Sequence, residues 1–246
     1  MERHTKESVL ELLSRSGVQF ELHTHEPVMT AAAQAEALEH TGGAVTKNLF
    51  LRDKKGRQYL VTALPDTRVD LKVLSARLGL GSGNLSWAPP ELLVSSLGVE
   101  PGCVTPLGLA NAGSCGRVVA LLDARLRGAR RFCVHPIVND ASVLIDAAGL
   151  EAFLRAVGRQ PTYVDLEAPK PQAPDLRHLA DAVPPLQKGP PAAAAAAGAG
   201  AGLGDGSEAG SGGHGAAGGS TAGQAAANAA TATDASDGGS RNGGLK

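Results

Sequence analysis

The chain has 246 residues and a formal net charge of −1, and its first 168 residues balance 18 Lys and Arg against 18 Asp and Glu. That balance excludes a general nucleic-acid coat, which needs a basic excess to collect phosphates. Residues 189–246 contain 19 Ala and 17 Gly and no aromatic residue, so this segment lacks the large apolar surface that offsets chain entropy. One folded unit is therefore expected over 1–168, followed by a Pro-rich linker over 169–191 and a disordered Ala/Gly-rich tail over 192–246.

In chain order, Val9, Leu12 and Leu13 share one face of a helix that opens near Thr5 and stops at Gly17. A strand is expected over 18–22. Thr30 can cap an Ala-rich helix that ends at Gly42-Gly43. Strands over 48–52 and 58–64 flank Asp53-Lys54-Lys55-Gly56, a hairpin connection with glycine available for positive φ. Asp70 can cap a third helix, with Leu71, Leu74 and Leu78 on one stripe and Gly79 past its end. Pro89 or Pro90 suits the first turn of a fourth, closed by Gly98. Strands over 118–122, 131–134 and 143–145 precede the clearest helical stripe, Leu150, Phe153, Leu154 and Val157, which ends at Gly158. Strands interleaved with helices, but joined partly by hairpins, exclude a purely parallel doubly wound sheet. They predict the α/β (α+β) class, a mixed, curved β-sheet with helices packed around it.

Cys103, Cys115 and Cys133 fit neither a disulfide framework nor paired zinc knuckles, which points to a reducing compartment. The N-terminus lacks a hydrophobic signal core and no run of 18 apolar residues occurs, so a cytoplasmic protein without a membrane partner is expected. His23 and His25 share a face of an extended segment, but no acidic or Cys partner completes a metal set. No metal is expected.

Three polar constellations can carry chemistry, and each has a plainer reading. Thr46-Lys47-Asn48 stands at the mouth of a strand, where a Lys and an Asn can hold a phosphate or polarise an ester carbonyl, or simply form a polar strand entry. His135-Pro136-Ile137-Val138-Asn139 follows a strand directly. Its histidine can hydrogen-bond a substrate or serve the structure alone, with Asn139 and Ser142 buttressing the loop. The loop Gly98-Val99-Glu100-Pro101-Gly102-Cys103-Val104-Thr105-Pro106 can present backbone N–H groups to an oxyanion, or act as a rigid connector. Arg125, Arg127, Arg130 and Arg131 form a dense basic patch, which is either a solvated face or a grip on phosphates.

Taken in order, Val28-Met29-Thr30, Thr46-Lys47-Asn48-Leu49-Phe50-Leu51, Val69-Asp70-Leu71-Lys72, Leu85-Ser86-Trp87-Ala88, the Gly98 to Gly108 loop and His135-Pro136-x-x-Asn139 resemble the YbaK/prolyl-tRNA synthetase-associated domain family. Within it they are most similar to the free-standing ProX/PrdX branch. The resemblance covers roughly residues 5–166. It implies the YbaK/aminoacyl-tRNA synthetase-associated domain fold and trans-editing, the hydrolysis of a wrong amino acid from its tRNA. For this branch the implied substrate is alanine on proline tRNA. Two alternatives stand beside it: a deacylase for another mischarged tRNA, such as Cys-tRNA(Pro), and a non-catalytic module that binds tRNA or a synthetase.

Carried over by motif, the resemblance puts the family's lysine on Lys47, its asparagine on Asn48, its pocket histidine on His135 and its glycine-loop motif on Pro101-Gly102. Lys47 and Gly102 are then the catalytic candidates, with Asn48, His135, Pro101 and Asn139 as substrate-binding residues. A small pocket lined by Met29, Ala32, Ala35 and Phe50 would admit alanine and exclude proline, because added methylenes overpack a tight cavity. Arg127, Arg130 and Arg131 are the candidates for tRNA phosphates. The implied partner is the aminoacylated acceptor end of tRNA, with delivery by prolyl-tRNA synthetase or an elongation factor left open. An aminoacyl ester is already activated, so a positioned water, backbone donors and the vicinal ribose hydroxyl suffice and no cofactor is called for. Ala112 after Gly108-Leu109-Ala110-Asn111, and Asp140-Ala141-Ser142 after the His-Pro motif, depart from the family pattern.

Overall fold

Side-chain caps start the helices where the sequence places them. The structure, a computed structural model, describes residues 3–184 except 82, 112, 114 and 115. In α1 (Lys6–Arg15) the Thr5 side chain accepts the Ser8 N–H while Ser8 Oγ accepts the Thr5 N–H, and Val9 and Leu13 turn inward. Thr30 caps α2 (Ala31–Leu38), Asp70 caps α3 (Leu71–Arg77) and Asp146 caps α5 (Ala147–Ala156), each accepting a first-turn N–H. Between α3 and α5, α4 (Pro90–Leu92) runs into a wide π turn over Leu93–Leu97 that ends at Gly98.

The strands form two mixed sheets, where a single curved sheet was expected. β1 (Glu21–Thr24), β2 (Ala44–Val45), β7 (Phe132–Val134) and β8 (Ala141–Ile145) make a four-stranded sheet in the order β1-β8-β7-β2. β3 (Lys47–Asp53), β4 (Gln58–Ala63), β5 (Leu85–Trp87), β6 (Val118–Asp123) and β9 (Tyr163–Val164) make a five-stranded one in the order β5-β3-β4-β6-β9. The chain passes between them at Thr46, whose hydroxyl donates to the Cys133 carbonyl at 2.8 Å. A short polar residue tied to a neighbouring strand turns what reads as one continuous run into strands of different sheets. β1 lies further along than the expected 18–22, because its pairing with β8 (Glu21 opposite Leu144, Thr24 opposite Ala141) fixes its place while its side chains stay largely exposed.

Two apolar layers result. The larger packs α1 and α5 against Phe50, Leu60, Val118, Leu122, Phe132 and Ile145. The second covers the opposite face of the five-stranded sheet, where Leu51, Tyr59, Val61, Ala63, Val119 and Leu121 meet Leu74 and Leu78 of α3. β4 is therefore buried on both faces, and all six of its residues are inaccessible. Asp123, fully buried at the end of β6, accepts the Leu64 N–H, the Arg125 N–H and the Thr67 hydroxyl, which fixes the turn after β4.

The folded unit also continues past residue 168 into the segment expected as linker. A short helix, α6 (Arg177–Asp181), buries Ala180 completely and Val183 to 8% exposure in the second layer, with Leu176 and Leu179 packed beside them. Arg77, 7% exposed, anchors it by a 2.7 Å ion pair to Asp175 and by a bond to the Asp165 carbonyl. The spacing of Leu176, Leu179, Ala180 and Val183 is helical, and the surrounding prolines mask it. The tail from 192 onward and Cys115 lie outside the described residues. Among the described residues, no helix is long and apolar enough to cross a membrane.

A chain ended at residue 168 strips these side chains from the second layer and takes the Asp175 carboxylate from Arg77. It is expected to unfold at least about 3 kcal/mol more readily in urea than one ended at 184. Equal midpoints and slopes would show that α6 contributes nothing to the fold.

Candidate active site

Three loops meet at one end of the four-stranded sheet. Glu100-Pro101-Gly102-Cys103 is a tight turn closed by the Cys103 N–H donating to the Glu100 carbonyl at 3.0 Å, and Gly102 takes φ +88° at its third position. Proline second and glycine third is what such a type II turn requires. A Cβ on Gly102 would sit 2.9 Å from both Sδ and Cε of Met29 and 3.7 Å from Asn139 Nδ2, so Met29 lies against the bare turn. Asn139 in turn donates to the Val28 carbonyl at 3.1 Å and lies 3.2 Å from Met29 Sδ, while its own carbonyl accepts the Val28 N–H. Met29 remains 48% exposed, so this cluster opens to solvent. Among the described residues the Gly102 N–H makes no hydrogen bond, whereas that of Cys103 is committed to the turn.

The His135 loop is held under strain. Ile137 has φ +61°, and no other described non-glycine residue has positive φ. A β-branched residue pays of order 1–2 kcal/mol for that conformation, offset here by a side chain buried in the main core. Thr105, fully buried, donates to the His135 carbonyl at 2.6 Å and so ties this loop to the glycine turn.

His135 is 8% exposed, and its Nδ1 lies 3.2 Å from the Ala141 carbonyl. A carbonyl can only accept, so Nδ1 carries the proton and Nε2 of the neutral ring is an acceptor. Burial holds the ring below the usual histidine range, reinforced by nearby His25, although the Ala141 carbonyl opposes the shift. His25 ends a hydrogen-bond chain whose directions are also fixed: the Gln34 amide donates to Ser142 Oγ at 2.8 Å and Ser142 donates to His25 Nε2 at 2.9 Å. His25 Nδ1–H then points to the Glu26 carbonyl at 2.8 Å. Gln34 and Leu38 are the inward residues of α2, while Ala32 and Ala35, expected in the pocket lining, are exposed. Phe50, also expected there, is 3% exposed within the main core.

Lys47 and Asn48 follow one another in β3 and so face opposite sides of their sheet. Asn48 accepts the Thr62 hydroxyl at 2.8 Å on the side of Phe50. Lys47 turns to the other side, where Nζ donates to the Pro65 carbonyl at 3.0 Å. Burial pulls the Lys47 ammonium below its usual range, while Asp66, Asp123 and Glu167 pull the other way. The Leu64–Thr67 turn beneath it is pinned by Asp123 and by Arg125, which pairs with Asp66 at 2.6 Å and reaches Thr67 Oγ1 at 3.1 Å. Val45 pairs in parallel with Cys133 inside the four-stranded sheet, and two residues further on each segment leaves that sheet, at Lys47 and at His135.

The arginines expected to grip phosphates stand elsewhere. Arg131 precedes β7 and pairs with Glu21, about 13 Å of strand from His135. Arg127 stacks 3.9 Å over the Tyr163 ring. Arg130 is exposed between them. Sequence reasoning missed Gln34, the role of His25 and the bond by which Thr105 holds the His135 carbonyl. None carries a local signal, because each acts through a partner more than 25 residues away. Among the described residues no three His, Cys, Asp or Glu side chains gather to hold a metal.

Comparison with known proteins shows the family. The family model described as the aminoacyl-tRNA editing domain matches residues 25–153, from His25 through the glycine turn and His135 to α5. The prolyl-tRNA editing protein ProX of Acetoanaerobium sticklandii is 34% identical over 167 residues, covering 68% of this chain and 100% of that protein. The prolyl-tRNA synthetase associated domain-containing protein 1 of Mus musculus is 34% identical over 158 residues, covering 63% of this chain and 92% of its own length. The crystal structure of a proposed trans-editing enzyme for prolyl tRNA synthetase superposes with a TM-score of 0.52 at 23% identity, covering 67% of this chain and 98% of that one, and so shares the fold. With more than half its length matched and relatives spanned nearly end to end, the chain belongs to the YbaK/ProX aminoacyl-tRNA editing domain family, deacylases that act on aminoacyl-tRNA.

Proposed function

We propose that this deacylase removes alanine wrongly esterified to proline tRNA. The observation that carries the reading is the contact of Met29 with the bare Gly102 turn beside Asn139, a thioether placed where it would crowd a ring more than a methyl group. The name of the ProX relative, a prolyl-tRNA editing protein, supports the choice of tRNA.

In the reaction a water oxygen adds to the ester carbonyl carbon, the bond to the terminal ribose oxygen breaks, and that oxygen leaves with a proton. The Gly102 N–H is the donor available to the developing oxyanion, since its neighbour at Cys103 is already committed. His135 Nε2 accepts from the ribose hydroxyl or the water, because its Nδ1–H is held by Ala141. Lys47, released from the Pro65 carbonyl, supplies positive charge to the terminal nucleotide. Asn48 and Asn139 orient the substrate, Pro101 keeps the turn rigid, and Met29 sets the size limit.

Lys47→Ala is expected to lower kcat/KM for alanyl-tRNA(Pro) about 100-fold with little change in thermal stability. Full retained activity removes Lys47 from the mechanism. A panel of mischarged tRNAs at low enzyme concentration should release alanine from proline tRNA fastest. Faster release of cysteine would reassign the substrate, and tRNA binding without any release would make the chain a binding module.

The pH profile tests His135. Burial disfavours its charged form, so Nε2 stays an acceptor down to a lower pH than in an ordinary histidine of pKa about 6.5. The enzyme-dependent rate should stay level on acidification through that value and fall only below it. A fall centred at or above it would show that another group controls activity.

A further inference from the structure

At the far end of β3 from Lys47, a cavity of about 130 Å³ is lined by side chains that no step above uses. Arg57 is 8% exposed, and its Nε is buried without a hydrogen-bond partner among the described residues. Lys54 and Lys55 of the hairpin, Arg177 of α6 and Asn84 line the same space, together with Gly79 and Leu80 after α3. A buried guanidinium with an unsatisfied N–H is costly, and an anion against the part of the fork that lines the cavity would offset that cost.

Two carboxylates share the cavity, and neither satisfies Arg57. Asp53 is committed to the hairpin: Oδ1 accepts the Lys55 and Arg57 N–H groups at 2.8 and 2.9 Å, and Oδ2 accepts the Tyr59 hydroxyl at 3.1 Å. Its Oδ2 stays 3.8 Å from Arg57 Nε, beyond hydrogen-bond reach. Asp181 is exposed, 3.4 Å from Arg177 Nε and 3.9 Å from Arg57 Nη1. Four cationic side chains against two anionic ones leave a net positive cavity, ten times larger than one water requires (about 10–15 Å³). The group that fits is a phosphate, whose oxygens take the planar guanidinium fork and the ammonium point charges together.

We propose that this cavity binds a backbone phosphate of the RNA whose terminal ester is cleaved beside Lys47, an inference that rests on the deacylase reading. Lys47 and Asp53 are six residues apart on β3, and the period of two puts them on the same face of the sheet, about 20 Å from each other. A long substrate held at its tip thus meets a second contact on the same face. That also reconciles a neutral chain with an RNA substrate: few phosphates are gripped, at one built site.

The test uses the full chain, its Lys54→Glu/Lys55→Glu variant and, separately, Arg177→Glu. Two substrates are compared, full-length alanyl-tRNA(Pro) and the alanyl ester of adenosine, which is too short to reach the cavity. For both variants the ratio of kcat/KM between full-length and short substrate should fall about tenfold in 0.1 M salt, and binding of uncharged proline tRNA should depend less steeply on salt. An unchanged ratio and salt slope overturn the proposal. So does an amide-shift titration in which inorganic phosphate fills the cavity while the variants treat full-length tRNA as the wild type does, because the site then takes free phosphate. If no protein cleaves either ester, the deacylase reading fails, and the salt dependence of tRNA binding still decides the cavity.

Discussion

The junction between the two sheets is the constraint on which the site depends. Gly43 enters it with no space for a side chain, since a Cβ there would lie 2.1 Å from Leu144 Cδ1. Thr46 leaves it with its hydroxyl bonded to the Cys133 carbonyl. Between them Ala44 and Val45 run parallel to Phe132 and Cys133. The next residues then part: Lys47 enters the five-stranded sheet and turns to the Pro65 carbonyl, while His135 ends its strand beside the Ala141 carbonyl. A bulkier residue at 43 would have to displace the buried Leu144 side chain.

The charges are arranged by burial rather than by number. The folded chain is nearly neutral, yet Lys47 sits among three carboxylates that favour its charged form against burial. His135 lies in an apolar setting that favours its neutral form. A charged ammonium and a neutral imidazole are what the proposed reaction needs, the one to hold an anionic nucleotide and the other to accept a hydroxyl proton. The strained Ile137 and the bond from Thr105 to the His135 carbonyl fix the second group, as the Asp123-pinned turn fixes the first.

Much of this was legible in the residues, for identifiable reasons. Caps at Thr5, Thr30 and Asp70 and stops at Gly17, Gly79, Gly98 and Gly158 are local devices, so the helices they bound were placed from the chain alone, whereas the Asp146 cap was not singled out. β2, β5 and β9 are two or three residues long and exist only through their neighbours, and α6 was hidden among prolines. The turn at Pro101-Gly102 was readable as a turn. That Met29 would lie against it was not, because the two are 73 positions apart and nothing in either segment encodes the meeting.

The sequence by itself determined the helices, the hairpin at Asp53-Lys54-Lys55-Gly56, the mixed α/β class and the ordered motifs that mark an editing domain. Each is set by contacts within a few residues or by side-chain periodicity. Only the tertiary structure decided that there are two sheets, that α6 belongs to the folded unit, that Lys47 faces Pro65 and not His135, and that Arg127 and Arg131 are engaged with Tyr163 and Glu21. Those outcomes depend on which distant groups compete for the same partner, a competition settled by packing and hydrogen-bond satisfaction across the whole fold.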